Sequence, residues 1–266
     1  SKLYQQISEI AGVLREKAHQ RSRFLVVSHF DADGMCGTGI LLKALARLGV
    51  RCSRHIIGKL TDLVINEVSS APFDVVIFVD IGSPMIDRII DSFRDKRSKT
   101  AVVLDHHPPL PQAPPPPENV VHLNPWVTGV DGSREVSCGS LAYLVAKEVS
   151  EENVDSSTLG VVASVSELQD IEGKLGGVNR LVLEDGVDHG LIKIDHDLRL
   201  LGRQTYTLFD MLYLSHPPLP GIVANRKACL KILREAGVDP SSRWLELSPS
   251  EKKMVREAVI AEVSKY

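Results

Sequence analysis

The chain lacks long apolar runs: nothing in it approaches the roughly 20 consecutive apolar residues that span a bilayer. It lacks a basic, apolar, small-residue leader at its N-terminus, which argues against secretion. Cysteine is scarce. The four residues Cys36, Cys52, Cys138 and Cys229 are scattered and form no CxxC pair. That argues against a disulfide framework and a cysteine-based zinc site, and it fits a reducing compartment. Strong net charge is also missing, at −3. The distribution says more than the total. Residues 1–60 carry ten Lys/Arg against four acids, leaving 21 basic and 30 acidic groups in the other 206 residues. A basic end on an acidic body allows a polyanionic partner, though solvated helix faces account for it equally well. Arg51 and Arg54 are candidate phosphate contacts on this count.

What is present reads as a globular α/β chain. Its 266 residues, 43% hydrophobic and 24% charged, can form one large domain or a domain with an appendage. Leu3, Ile7, Ile10 and Leu14 predict an amphipathic helix over 3–19, and Ile40 to Leu48 predict another over 35–48, stopped by Gly49. Residues 24–28, 75–79, 101–104 and 120–123 are short, non-alternating apolar runs, the pattern of strands buried on both faces. Pro84 opens a helix between two of them. Interleaved strands and helices predict a parallel sheet with flanking helices. The prolines between 108 and 117 predict an extended connector, residues 139–149 and 157–169 further helices. Beyond about residue 190 the pattern becomes mainly helical, with segments near 225–236 and 249–264, so we divide the chain into 1–190 and 191–266.

The acids and histidines fall at strand ends. The first strand runs into His29, Asp31 and Asp33, the second into Asp80, the third into Asp105, His106 and His107. In an open parallel sheet these ends share one rim, where ligands bind. Carboxylates crowded there repel one another unless a cation intervenes. Singly, each residue is a plausible strand end or helix cap. Together they predict a site for one or two divalent cations, with carboxylate-rich ligation favouring Mn²⁺ or Mg²⁺. Asp80, alone at the end of a central strand, is placed to bridge two ions. Glu167 and Asp170, three apart at the end of the 157–169 helix, are further candidate ligands on one helix face. Ser137-Cys138-Gly139-Ser140 opens a helix, either as an ordinary cap or as a cradle for a phosphate oxygen.

The ordered motifs His29-Phe30-Asp31-Ala32-Asp33-Gly34, Asp80 and Asp105-His106-His107 resemble those of the DHH phosphoesterases. Glu167-Leu168-Gln169-Asp170, Leu200-Leu201-Gly202-Arg203-Gln204-Thr205, Pro220-Gly221 and Asn225-Arg226-Lys227-Ala228-Cys229 narrow the likeness to the archaeal RecJ-like exonucleases, including the GINS-associated nuclease. The resemblance implies a Mn²⁺-dependent phosphodiesterase that degrades single-stranded DNA or RNA from the 5′ end in archaeal replication or repair. It implies that His29, Asp31 and Asp80 hold one metal, and that Asp33, Asp80, His106 and an acid of the 167–170 segment hold the other. His107 then serves the scissile phosphate as hydrogen-bond donor or acid, and Asp105 orients a histidine.

Two features depart from that pattern. The archaeal relatives usually read Gly-Asp where this chain has Ser166-Glu167, so the late ligand is either Glu167 or Asp170. The glycine-rich, His-containing motif of the DHH-associated domain, which grips the strand end, is missing from these residues, so weak strand binding is expected. The family also implies two alternatives. One is an inactive replication scaffold that binds GINS, like the eukaryotic replicative-helicase factor. The other is a phosphodiesterase for nanoRNA or cyclic dinucleotides.

Overall fold

A computed structural model describes residues 2–195 and 197–266. Contacts divide the chain into two compact units, Ser1–Lys193 and Ile194–Tyr266.

The first unit is organised by five strands: β1 (Phe24–His29), β2 (Cys52–Ile57), β3 (Val75–Val79), β4 (Thr100–Leu104) and β5 (Val120–Leu123). All neighbouring pairs are parallel, in the order β2-β1-β3-β4-β5. Seven helices flank the sheet: α1 (Lys2–His19), α2 (Ala32–Arg47), α3 (Asp62–Ser70), α4 (Ile86–Phe93), α5 (Cys138–Val149), α6 (Ser157–Ser166) and α7 (Gly177–Asp188). The period of two along each strand divides its apolar side chains between two cores. Val26, Ile77, Val79, Val102 and Leu104 pack with α1, α2 and α5 on one face. Leu25, Val27, Val76, Phe78 and Val103 pack with α3 and α4 on the other. Burial on both faces is why β3 and β4 are apolar at every position except Thr100.

Several sequence-based boundaries shift. The second helix starts at Ala32 rather than 35, because Asp31 caps it by accepting a hydrogen bond from Gly34 N–H at 3.0 Å. The helix expected over 157–169 ends at Ser166, and Leu168 has φ +55°, so Glu167 and Asp170 do not share a helix face. β2, α3 and α7 were not anticipated. β2 is an edge strand of sequence CSRHII with mostly exposed side chains, so it carries no apolar run to read. The proline-rich stretch 108–117 forms neither helix nor strand, as expected.

The second unit contains α8 (Leu208–Tyr213), α9 (Arg226–Glu235) and α10 (Pro249–Val263). Its core is separate, built around Leu208, Met211, Ile232, Leu233, Val255 and the buried Trp244. The Trp244 indole N–H donates to Asp197 Oδ2 at 2.9 Å. Among the described residues no helix is long and apolar enough to cross a membrane.

Candidate metal centre

The strand order 2-1-3-4-5 reverses direction between β1 and β3. A crevice opens beyond the carboxyl ends of strands at such a point. The register pairs Ser28 with Val79 and Val79 with Leu104, so the three strands end level. Their terminal residues therefore arrive together: His29 and Asp31 from β1, Asp80 from β3, Asp105, His106 and His107 from β4.

Asp80 stands at the centre. It is 1% exposed and sits at φ +61°, a left-handed conformation that carries a cost for a residue with a Cβ. Its Oδ2 lies 3.6 Å from His29 Nδ1, and its Oδ1 lies 3.4 Å from His106 Nε2 and 3.8 Å from His107 Nδ1. Neither oxygen has a hydrogen-bond partner, and neither does His106 Nε2. Burial, with Asp33 and Asp31 nearby, pushes the Asp80 carboxyl up to about 8 against the pull of His106. For His106, burial works downward, but Asp80 and Asp33 overcome it and push the imidazole up to about 10.

Each neighbour is held from behind. His106 Nδ1–H donates to the Gly132 carbonyl at 2.7 Å, which turns Nε2 toward Asp33, Asp80 and Glu167 at 3.4, 3.4 and 3.9 Å. Asp33 is fully buried at the N-terminus of α5, where it accepts Cys138 N–H at 2.8 Å and Gly139 N–H at 2.6 Å. The anion cradled by that helix start is thus the chain's own carboxylate, and Ser137 is the ordinary cap. Burial raises Asp33 further than His106 and the two N–H groups lower it. Asp31 behaves oppositely: burial raises it, but Gly34 N–H and the His29 ring at 2.6 Å bring it below its ordinary value.

His107 is turned outward and 44% exposed along its side chain. Its Nδ1 hydrogen-bonds Asp105 Oδ1 at 2.8 Å, which raises the imidazole above its usual value and leaves Nε2 toward the cleft. Asp105 is fully buried. Burial acts to raise it, but His107 and the N–H groups of Ser83 (2.7 Å) and His107 (3.1 Å) bring it below the usual carboxylate value.

Three groups have ligand atoms within 4.8 Å of one another: His29, Asp31 and Asp80; Asp80, His106 and His107; Asp33, His106 and Glu167. Asp170 is in none of them, and Asp105 acts only through hydrogen bonds behind His107. The donor set is imidazole and carboxylate, without thiolate, and within it Asp80 Oδ1, Asp80 Oδ2 and His106 Nε2 are buried with no hydrogen-bond partner. Divalent cations fit that set, with Mn²⁺ and Mg²⁺ suited to the carboxylates.

Sequence reasoning overlooked residues that brace this rim. Buried Asn124 donates to Ser83 Oγ (2.7 Å), the Asp105 carbonyl (3.0 Å) and the His107 carbonyl (2.9 Å). It directly succeeds β5, so the strand-end rule applied to a fourth strand would have found it. Gln169 Nε2 donates to the Gly132 carbonyl at 3.0 Å, and Asn179 Nδ2 donates to Gln169 Oε1 at 2.5 Å. No local signal marks that relay, since its members come from three separate segments.

Residues 23–165 match the DHH family, N-terminal domain, and residues 200–265 match the DHH-CID domain. An uncharacterized protein of Methanocaldococcus jannaschii is 31% identical over 96% of this chain and 57% of its own length. The single-stranded-DNA-specific exonuclease RecJ of Thermus thermophilus is 28% identical over 68% of this chain and 27% of its own. The chain thus spans little more than half the length of the first of these and about a quarter of the second. Among solved structures, CDC45 from Entamoeba histolytica aligns with TM-score 0.67 at 14% identity, covering 98% of this chain and 57% of that one. An exonuclease RecJ bound to manganese aligns with TM-score 0.55 at 18% identity, covering 97% and 60%. At such identities the structural likeness shows the fold alone, one shared by an exonuclease RecJ and by CDC45. The family model covers more than half of the chain, and the chain belongs to the DHH family.

Proposed function

We propose that this chain is a Mn²⁺-dependent phosphodiesterase, a single-strand-specific 5′–3′ exonuclease or its catalytic part, working in archaeal replication or repair with GINS. The observation that carries the reading is the set of buried atoms without hydrogen-bond partners, Asp80 Oδ1 and Oδ2 and His106 Nε2, converging at the switch point of the sheet. A scaffold has no use for buried ionisable groups kept unsatisfied, which cost stability. The kinship with RecJ supports single strands as substrate, and the manganese-bound RecJ structure supports the metal. The GINS association rests on the resemblance of the motifs to the archaeal RecJ-like branch.

The residues divide the work. His29, Asp31, Asp80, Asp33, His106 and Glu167 would hold the cations. Bound there, divalent metals supply a water nucleophile and neutralise phosphate charge. Asp80 serves both ligand groups. His107, whose imidazole Asp105 holds above its usual value, would donate from Nε2–H to a phosphate oxygen or hand that proton to the leaving oxygen. Asp170 stands outside the ligand groups, and Glu167 is the late ligand in this reading.

The deciding measurement is hydrolysis of a 5′-labelled single-stranded oligonucleotide with and without Mn²⁺, for wild type and Asp80→Ala, alongside calorimetric titration of the metal. Metal-dependent cleavage lost in Asp80→Ala is the expected result. Faster turnover of di- to pentanucleotides than of long strands moves the assignment to nanoRNA. Neither metal binding nor cleavage moves it to a GINS-binding scaffold.

A further inference from the structure

The cleft beside the carboxylates is lined by two kinds of side chain: the ionisable His29, Asp80, Asp105 and His107, and the apolar Leu60, Ile81, Pro84 and Met85, with Lys59 also in its lining. The space is about 340 Å³. Small-molecule sites run from about 300 to 1,000 Å³, so a nucleoside fits and a folded oligonucleotide does not.

Next to two of its lining residues, His29 and Gly58, stands Phe30, 63% exposed. A single exposed apolar side chain needs no explanation by itself. This one is placed. Its ring meets the His29 ring edge-on, with centroids 4.8 Å apart and planes at 64°. It also lies over the backbone of Gly58, where an added Cβ would stand 3.9 Å from the Phe30 Cδ1. Gly58 belongs to the cleft lining, next to Lys59 and Leu60. An open aromatic ring therefore borders both a metal-ligand candidate and an apolar slot.

We propose that Phe30 and the apolar lining of this cleft hold the base of the nucleotide adjoining the scissile phosphate. The inference rests on the phosphodiesterase reading and names what that site selects: diesters carrying a base, over inorganic polyphosphate and over base-free sugar phosphates. The chemistry comes from the two kinds of lining. A phosphate belongs with the carboxylates and histidines. Whatever meets the apolar side chains is attached to it at the distance of a sugar. A flat π-faced group satisfies the open ring, because every base has such a face and stacking tolerates any sequence. Lys59 supplies a cation for a neighbouring phosphate.

The test uses single strands in which the residue on either side of the scissile phosphate, one at a time, is replaced by an abasic analogue. For wild type with Mn²⁺ we expect kcat/KM to fall about tenfold or more at one of these positions. In Phe30→Ala the ratio of base-bearing to abasic substrate collapses toward one, and Phe30→Trp restores it. A ratio near one in wild type, or an undiminished ratio in Phe30→Ala, overturns the proposal. A second measurement needs no turnover: calorimetric binding of a nucleoside monophosphate against ribose 5-phosphate to the Mn²⁺-loaded protein. Base-dependent binding weakened in Phe30→Ala supports the slot even where nothing is cleaved, in which case the hydrolase reading fails and the slot stands. Cleavage without base preference leaves the hydrolase and removes the slot.

Discussion

Two acidic regions of the same unit handle charge in opposite ways. On the flank where α2 meets the 151–156 turn, Asp155 sits between Lys43 at 2.9 Å and Arg47 at 2.7 Å, with both guanidinium nitrogens engaged. Its hydrogen bond with Arg47 leads the effects that hold it well below the usual carboxylate value. At the rim, Asp80 and Asp33 are buried with histidines as their only cationic neighbours, and both are pushed up. The flank is built to be satisfied by the chain. The rim leaves both oxygens of Asp80 and His106 Nε2 without hydrogen-bond partners. Raised carboxylates beside partnerless imidazole nitrogen mark function rather than stability.

That contrast can be broken at several points. The largest effect belongs to Asp80→Ala: metal-dependent hydrolysis drops on the order of 10³-fold or more, while the melting temperature of the metal-free protein holds or rises, since a buried, costly carboxyl is gone. Loss of fold instead of activity sinks the assignment of Asp80 to function. Next comes His107→Gln, expected to slow hydrolysis by roughly 10²–10⁴-fold with metal affinity retained in calorimetry. Equal losses of metal and rate would make His107 a ligand instead of a donor.

Asp33→Ala separates from Asp80→Ala in stability. It strands the N–H groups of Cys138 and Gly139 in the interior, at roughly 1–3 kcal/mol for each group, so its metal-free form melts lower than wild type in calorimetric scans.

The pH response has a definite sign. His106 stands near 10 against its ordinary 6.5, and Asp80 near 8 against 3.8, so the folded metal-free protein holds more protons than the unfolded chain. The His106 contribution is fully present below about pH 6.5 and is lost as pH rises through about 10; that of Asp80 is lost as pH rises through about 8. Between pH 6 and 9 the metal-free protein should therefore lose thermal stability, and Mn²⁺ should cancel the loss by displacing those protons. Melting curves across that range check it. Smallest is Asp155→Asn on the exposed flank, at most about 1 kcal/mol and a shift of a few degrees in melting temperature, with hydrolysis unaffected.

Much of the rim was legible because buried parallel strands are plain in sequence. Val75 to Val79 and Ala101 to Leu104 have no polar interruption, so the acids and histidines at their ends stand out. Topology then collects those residues without further information. The edge strand β2 escaped because Ser53, Arg54 and His55 face solvent or half-face it and need no apolar pattern. The 157–169 helix was over-extended because Ser166-Glu167-Leu168 contains no glycine or proline to announce the left-handed turn at Leu168. Asn124, Gln169 and Asn179 were invisible for another reason. Their partners are backbone carbonyls and side chains from distant segments, and no spacing records them.

The sequence by itself determined the parallel α/β unit, the helical tail and the chemistry of the strand ends, since periodicity and residue type act locally. Only the tertiary structure decided which atoms are left without partners. Gly132 directs His106 Nδ1 and so frees Nε2; α5 claims both oxygens of Asp33; Asp80 is held left-handed between three histidines. Those outcomes depend on where separate segments meet, and hydrogen-bond satisfaction is settled only when they do.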